Sequence, residues 1–438
     1  MDAAGTAVVG TLKGRGTGNR AAWLSGIAVL LVAIIMPWLF YDWEHARQSG
    51  FVVSMLSQMG VMAIFALSYN MLMGQAGLLS LCHAVLFGFG GYCMIHFLNA
   101  AGDGLLPVPM ELMPLLSGLG GLGIAIVFGY MATRQRATAF AMITLGIGQL
   151  MTVAALMFQH FFGGESGVST DRTNAQSMLG LSYAHGIAVY YLIVAWTVIA
   201  TLAMFALTFT PLGRMANACR DNHERAQFMG YDPRTVRFLQ FALSGFFAGI
   251  AGGLYAITYE IVTFDALAAP LSANALLMAY IGGTTVFAGP ILGAVLITLL
   301  QSGVSLMSNS WLIYVGVLFI AMVTFAPAGL AGLILAHAPI RRAGRLPRLT
   351  IPYLRIALPT LATILGFVGI VELASFLTIG EAQGKHLEMF GHAVNVYSPT
   401  PWIVSIVLLL TGGIWFWREA RRFRTVWDAL TTDLKDAT

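Results

Sequence analysis

The sequence predicts an all-α, polytopic membrane protein: a ten-helix body followed by a C-terminal two-helix hairpin. Three observations predict it. The chain is 58% hydrophobic and only 10% charged, whereas soluble domains carry about a quarter charged residues. Its apolar runs recur at lengths near the roughly 20 residues that a helix needs to cross a bilayer. Its basic residues gather in alternate loops, as the positive-inside rule requires. A net charge of +4 spread over short loops argues against nucleic acid and leaves the lipid bilayer as the medium. Cys82, Cys93 and Cys219 are too few and scattered for a disulfide scaffold or a paired-cysteine metal site. The first two read as buried small apolar residues.

Residues 1–20 are polar, Gly-rich and basic. They read as a loose cytoplasmic tail, because the apolar run after them is long and ends in no small-residue cleavage site. Twelve spans follow, at 22–41, 51–73, 81–99, 113–132, 138–161, 187–210, 236–259, 270–285, 288–306, 311–327, 354–378 and 401–417. The pair at 270–285 and 288–306 is short and closely spaced. With the N-terminus inside, only Arg47, Arg172 and Lys385 of the 23 basic residues fall outside, and both termini are cytoplasmic. Residues 21–335 form the body, 336–353 a Pro- and Arg-rich basic linker, and 354–438 the hairpin with a cytoplasmic tail.

The stretch NMLMGQAGLLSLCHAVLFGFG, residues 70–90, is too rich in glycine for one smooth span, yet no charge lies between Arg47 and Asp103. Bare backbone at membrane depth is tolerated only where protein covers it or it lines a wet cavity. Gly74, Gly77, Gly88, Gly90 and Gly91 permit tight turns or close helix approach. Ser80 and His83 offer side-chain hydrogen bonds. A second break, AYIGGTTVFAGPILGA at 279–294, holds Gly282, Gly283, Thr284, Gly289 and Pro290. Interrupted segments in both halves of a chain point to a transport pathway, and Ser80, His83 and Thr284 are expected to face a central cavity. The alternative is that these glycines only pack helices, and that His83, like His96 and His160, is a hydrogen-bonded structural histidine.

Residues 211–235 form the most polar loop of the body. Residues 213–229 read as one short helix, with Asp221 and Arg225 four apart in the favourable order. Met215, Cys219, Ala226 and Met229 make an apolar stripe. Gly230 stops the helix, and Asp232 with Pro233 starts the next span. A helix tied to spans at both ends reads as a docking knob for a cytoplasmic partner; a solvated loop is the alternative. The outer loop 162–186, with Glu165, Asp171 and Arg172, reads as solvated or as a contact for an extracytoplasmic partner. No G-x-x-x-x-G-K-[ST] phosphate loop occurs. The body's spans hold almost no ionisable groups of the kind that ion-coupled carriers use, and Glu372 in the hairpin is the one conspicuous acid.

Four stretches resemble the permease subunits of branched-chain amino acid ABC importers. They are GQAGLLSLCHAVLFGFGGY (74–92), ATAFAMITLGIGQL with FFGGESGVS (137–169), TPLGRMANACRDNHERAQFMGYD with FALSGFFAGIAGGLYA (210–256), and IGGTTVFAGPILGA with FAPAGLAGL (281–333). The third is the most specific: Gly213, Arg214, Arg220, Glu224, Ala226 and Gly230 fall on the family's pattern. The resemblance implies a non-catalytic membrane subunit in a bacterial inner membrane. Its implied partners are two cytoplasmic ATPases that bind ATP and Mg, a second homologous permease forming a heterodimer, and an extracytoplasmic solute-binding protein. The loop from Gly213 to Gly230, with Asp221, would engage an ATPase, and Gly77, Ser80, His83, Gly88, Gly90, Gly282, Gly283 and Thr284 would line the pathway. Leu78 and Cys82 stand where the family has Gln and Gly, and the hairpin lies outside its common pattern. Branched-chain amino acids are the first expectation for cargo; urea, amides and aromatic or other carboxylic acids are the alternatives within the family. An ion-coupled secondary carrier is the alternative class.

Overall fold

The computed structural model describes residues 31–39, 41–42, 47–48, 50–135, 137–306, 308, 310–345, 347–379, 386–389 and 392–436. The tail 1–20, half of span 22–41 and the part of the outer loop that holds Lys385 lie outside these residues; 31–39 is helical. Among the described residues, eight helices are long and apolar enough to cross a membrane, or nine if the bent pair Trp311–Phe325 and Gly329–Arg342 counts as one span. Among the same described residues, strand is confined to three short antiparallel pairs.

Several spans differ from their expected limits. The run 138–161 stops at Met157, and Gln159–Phe162 forms its own turn after Phe158. The short pair becomes Ala269–Gly282 and Gly289–Val304, each below full spanning length. The linker 336–353 includes the helix Ala338–Arg342 and the first turns of Pro347–Ile379.

The described residues fall into two compact units: one runs to Leu299 and adds Phe319–Gly332, and the other is Leu300–Leu318 with the chain from Leu333 onward. The first unit is centred on Pro233–Tyr259, whose Gly245, Gly249 and Gly252 face Met113–Ala132 and His83–Gly102. A Cβ at Gly252 would overlap the carbonyl oxygen of Phe87, and one at Gly249 would come 2.7 Å from that of Ser117. Small residues at this spacing let backbones touch, which is how helices associate where lipid offers no hydrophobic driving force. Gly90 belongs to the same seam, against Gly249, and a Cβ at Gly88 would come 2.6 Å from the Ala266 carbonyl oxygen. Both are packed against neighbouring backbone.

The second unit is built on an antiparallel hairpin of Pro347–Ile379 and Pro399–Asp436. Gly366 closes on Leu409, and a Cβ at Gly412 would come 2.8 Å from the Thr363 nitrogen. Leu373, Phe376 and Val396 form a core at one end, and Ile340, Leu349 and Leu430 at the other. Glu372 accepts a hydrogen bond from the Tyr314 hydroxyl, so the conspicuous acid is paired within this unit.

Candidate functional site: a glycine break tied to the loop 211–235

The helix Gly50–Asn70 does not end cleanly. It widens into a π-turn at Met71–Ala76 and stops at Gly77, whose φ of +68° is left-handed. Residues 77–82 then run without helix before His83–Gly102 begins. Protein covers this bare backbone. The Leu81 N–H donates to Thr144 Oγ1 at 3.1 Å, and the Ala84 N–H to Ser272 Oγ at 2.9 Å. Gln240, buried in Pro233–Tyr259, donates to the Met71 carbonyl at 3.1 Å and to Gln75 Oε1 at 2.9 Å. A π-turn leaves carbonyls without their usual helical partners, and Gln240 supplies one.

The second break meets the first. A Cβ at Gly74 would come 2.8 Å from the Thr284 carbonyl oxygen. Gly282 packs on the Gly289 carbonyl, and Gly283, with φ +105°, packs on Ala328. The two interruptions, distant in sequence, are one locus. Tyr69 Oη, Asn70 Oδ1 and His83 Nδ1 at this locus are buried with no hydrogen-bond partner among the described residues. Each such group costs about 1–3 kcal/mol.

The expectation that Ser80 and His83 face a cavity is corrected, because both are 0% exposed. His83 bonds Ser68 Oγ at 2.9 Å through Nε2 and lies against the rings of Phe65 and Tyr69. Ser80 lies 3.7 Å from Cys82 Sγ. Leu78 and Cys82 are buried too, so neither departure from the family pattern is on an open wall. Thr284 is half-exposed. His96 bonds the Phe161 carbonyl at 2.8 Å, as a structural histidine should, whereas His160 is exposed. Cys93 is half-buried rather than buried.

The loop 211–235 is two helices, not one. Pro211–Asp221 ends at Asn222, whose extended backbone and side chain cap His223–Phe228 by accepting from the Arg225 N–H at 3.0 Å. An asparagine that caps a new helix outcompetes helix continuation. The expected Asp221–Arg225 pair therefore does not form; Asp221 pairs with Arg220 at 3.0 Å. The apolar stripe is also shifted: Ala216, Cys219 and Ala226 are buried, but Met215 is only half-buried and Met229 is exposed. Gly213 is buried where a Cβ would overlap the Leu207 carbonyl, and Gly230 turns the chain at φ +84°. Asp232 caps the next helix through the N–H groups of Arg234 and Thr235 and the Thr235 hydroxyl, and these bonds hold its carboxyl below the ordinary range.

The loop thus has two faces. Arg214, Glu224 and Arg225 point to solvent, and Phe228 at the tip is 90% exposed. Arg220 turns the other way. Its guanidinium donates to the Gly74 carbonyl, and its Cγ lies where a Cβ at Gly77 would come within 2.7 Å. Arg220 joins the loop directly to the break.

Glu111 and Glu260, which no sequence pattern marks, organise the opposite end of this unit. Glu111 accepts from Ser177 Oγ at 2.7 Å, Tyr183 Oη at 3.0 Å and the Met178 N–H at 3.0 Å. Burial pushes its carboxyl up, but these donors outweigh that and bring its pKa down to about 2. Glu260, at φ +58°, receives the Arg172 N–H at 3.0 Å, beside the paired strands Val168–Ser169 and Ile261–Val262. The loop 162–186 is stapled down rather than merely solvated. Gln240, alone in the run Phe238–Leu239–Gln240–Phe241, was the one signal in the sequence for the inner network.

A family model described as "Branched-chain amino acid transport system / permease component" matches residues 51–339. The chain is 24% identical over 325 residues to the high-affinity branched-chain amino acid transport system permease protein LivM of Escherichia coli, covering 69% of this chain and 73% of that protein. It is 23% identical over 285 residues to the corresponding permease protein BraD of Pseudomonas aeruginosa, covering 62% and 91%. The ribose import permease protein RbsC of Haemophilus influenzae is 25% identical over 217 residues, covering 47% and 62%. No solved structure matches. The family match spans the break, the loop and the glycine seam and stops before the hairpin helices, and the chain belongs to the branched-chain amino acid transport system permease family.

Proposed function

We propose that this chain is the non-catalytic membrane subunit of an ATP-driven importer, forming the pathway for a small polar solute, with branched-chain amino acids as first choice. The names of LivM and BraD support that cargo; the ribose permease marks polar solutes more broadly as the class. One observation carries the reading: a loop with an exposed apolar tip reaches back through Arg220 to the point where two broken membrane segments meet.

The mechanism follows from the two faces of the loop. Phe228, Met229, Arg214 and Glu224 dock into a cytoplasmic ATPase; exposed aromatics commonly anchor such contacts. Partner ATPases bind ATP and Mg and close on each other. Their motion shifts the loop, and Arg220 transmits that shift to Gly74 and Gly77. A π-turn ended by a left-handed glycine is a weak point in an otherwise rigid helix, so the break absorbs the movement and the adjoining Thr284 segment moves with it. A second permease completes the pathway. A solute-binding protein docks on the opposite end, where Glu111, Arg172 and Glu260 hold the loops. The loop 211–235 then faces the cytoplasm of a bacterial cell, and the chain sits in its inner membrane.

The test is reconstitution of the chain with its partner permease and ATPases in liposomes, with leucine and binding protein on one side and ATP on the other. Leucine uptake that needs both ATP and the ATPases is the expected result. Accumulation by the chain alone, driven by an ion gradient, would instead make it a secondary carrier.

A further inference from the structure

The family match ends before the C-terminal hairpin, so the permease reading assigns the hairpin no task. Its geometry supplies one. We propose that the hairpin end away from the 386–395 strands binds the headgroup of an acidic glycerophospholipid. Its two helices have 33 and 38 residues, about 50 and 57 Å at the helical rise. Both outrun the roughly 30 Å hydrocarbon core. The apolar run of the second helix ends at Trp415 and Trp417, and arginines follow at 418, 421, 422 and 424. An aromatic-to-arginine boundary marks the level of the lipid phosphates.

At that level the two helices enclose a groove. Ile351, Leu354, Arg355 and Leu358 line one side, and Trp415, Glu419 and Arg422 the other. The contact of Tyr353 with Phe423 and of Gly412 with Thr363 fixes this register. The apolar members suit an acyl chain, and the arginines suit a phosphodiester. Glu419 is the one carboxylate in the groove, and Arg422 neutralises it at 2.7 Å. Arg355 is exposed and has no hydrogen bond or ion pair among the described residues. Arg348 and Arg418 continue the same helix faces at i−3 from Ile351 and i+3 from Trp415. Arg421 is held over the Trp417 ring at 3.5 Å, which directs a further cation to this rim. The sum is a net positive slot opening from apolar walls. Basic pockets between membrane helices recognise anionic headgroups in this manner.

The experiment uses the full chain in phosphatidylcholine vesicles doped with brominated phosphatidylglycerol or brominated phosphatidylcholine. Trp415 emission is isolated as the difference between the native chain and W415F. Brominated phosphatidylglycerol should associate about fivefold more strongly than the zwitterionic lipid, the worth of one interfacial arginine. R355Q should erase most of that preference and R355K should keep it. Three results would overturn the proposal: equal quenching by the two lipids, a preference untouched by R355Q, or loss of the preference in R355K. Displacement of the lipid by millimolar inorganic phosphate would assign the slot to a small free anion and likewise overturn it.

Discussion

The two ends of the first unit are held in opposite ways. At one end a single carboxylate, Glu111, gathers hydroxyl and amide donors from a loop more than 60 residues away, and Glu260 pins Arg172. At the other, the chain meets itself through bare glycine backbone, the buried glutamines Gln75 and Gln240, and the arm of Arg220. Charge-assisted bonds onto one oxygen pair are strong and geometrically demanding. Backbone contacts at a π-turn and a left-handed glycine are close because no Cβ intervenes. In the proposed mechanism the first arrangement serves as a fixed cap and the second as a joint. That mechanism needs this asymmetry: a stable platform for solute delivery and a compliant point where force enters.

The largest effect should come from the cap. E111A should remove about 3 kcal/mol of stability, because it strands several donors that had a charged acceptor; the midpoint of thermal unfolding in detergent measures it. The pH dependence has a definite sign. The folded pKa of Glu111 is about 2, below its ordinary 4.5, so the unfolded chain takes up the proton first. Stability from Glu111 is complete above about pH 4.5 and is lost as pH falls towards about 2, and E111Q should flatten that part of the profile.

G77V comes next, on the joint. The left-handed backbone at Gly77 costs an L-residue about 1–2 kcal/mol, and the new side chain meets Arg220. Uptake should fall more than the unfolding midpoint does. Q240L should cost about 1 kcal/mol by removing the bonds to Met71 and Gln75; hydrogen exchange should rise at residues 71–77 and stay unchanged at 171–185. A change confined to the cap would reverse the comparison. The smallest effect is D221N, below about 0.5 kcal/mol, since its pair with Arg220 is at the surface.

Much of this was legible in the sequence, because membrane physics is written in long runs. Full spans such as Met113–Ala132 follow from uninterrupted apolar length, and the Asp232–Pro233 start of a helix follows from local capping chemistry. The two breaks were visible from glycine content, but their meeting at Gly74 and Thr284 was not, since nothing local encodes a contact over that distance. The split of the loop 211–235 is not legible because helical spacing continues through Asn222, and only its cap geometry reveals the stop. Ser80 and His83 look like pathway residues in the sequence because polar groups in apolar runs suggest function. They proved to be paired inside the fold, with Ser68 and Cys82. Glu111 went unnoticed because a single acid in a short loop has no pattern until its donors arrive from elsewhere.

The most direct measurement compares R220A with F228A in the reconstituted transporter, scoring ATPase retention, ATP hydrolysis and solute uptake together. The expected result is that F228A loses the ATPases, whereas R220A keeps them and hydrolyses ATP with uptake reduced about tenfold or more. Normal uptake by R220A, or loss of the ATPases from R220A with F228A unaffected, would contradict the assignment of Arg220 as the link between loop and break.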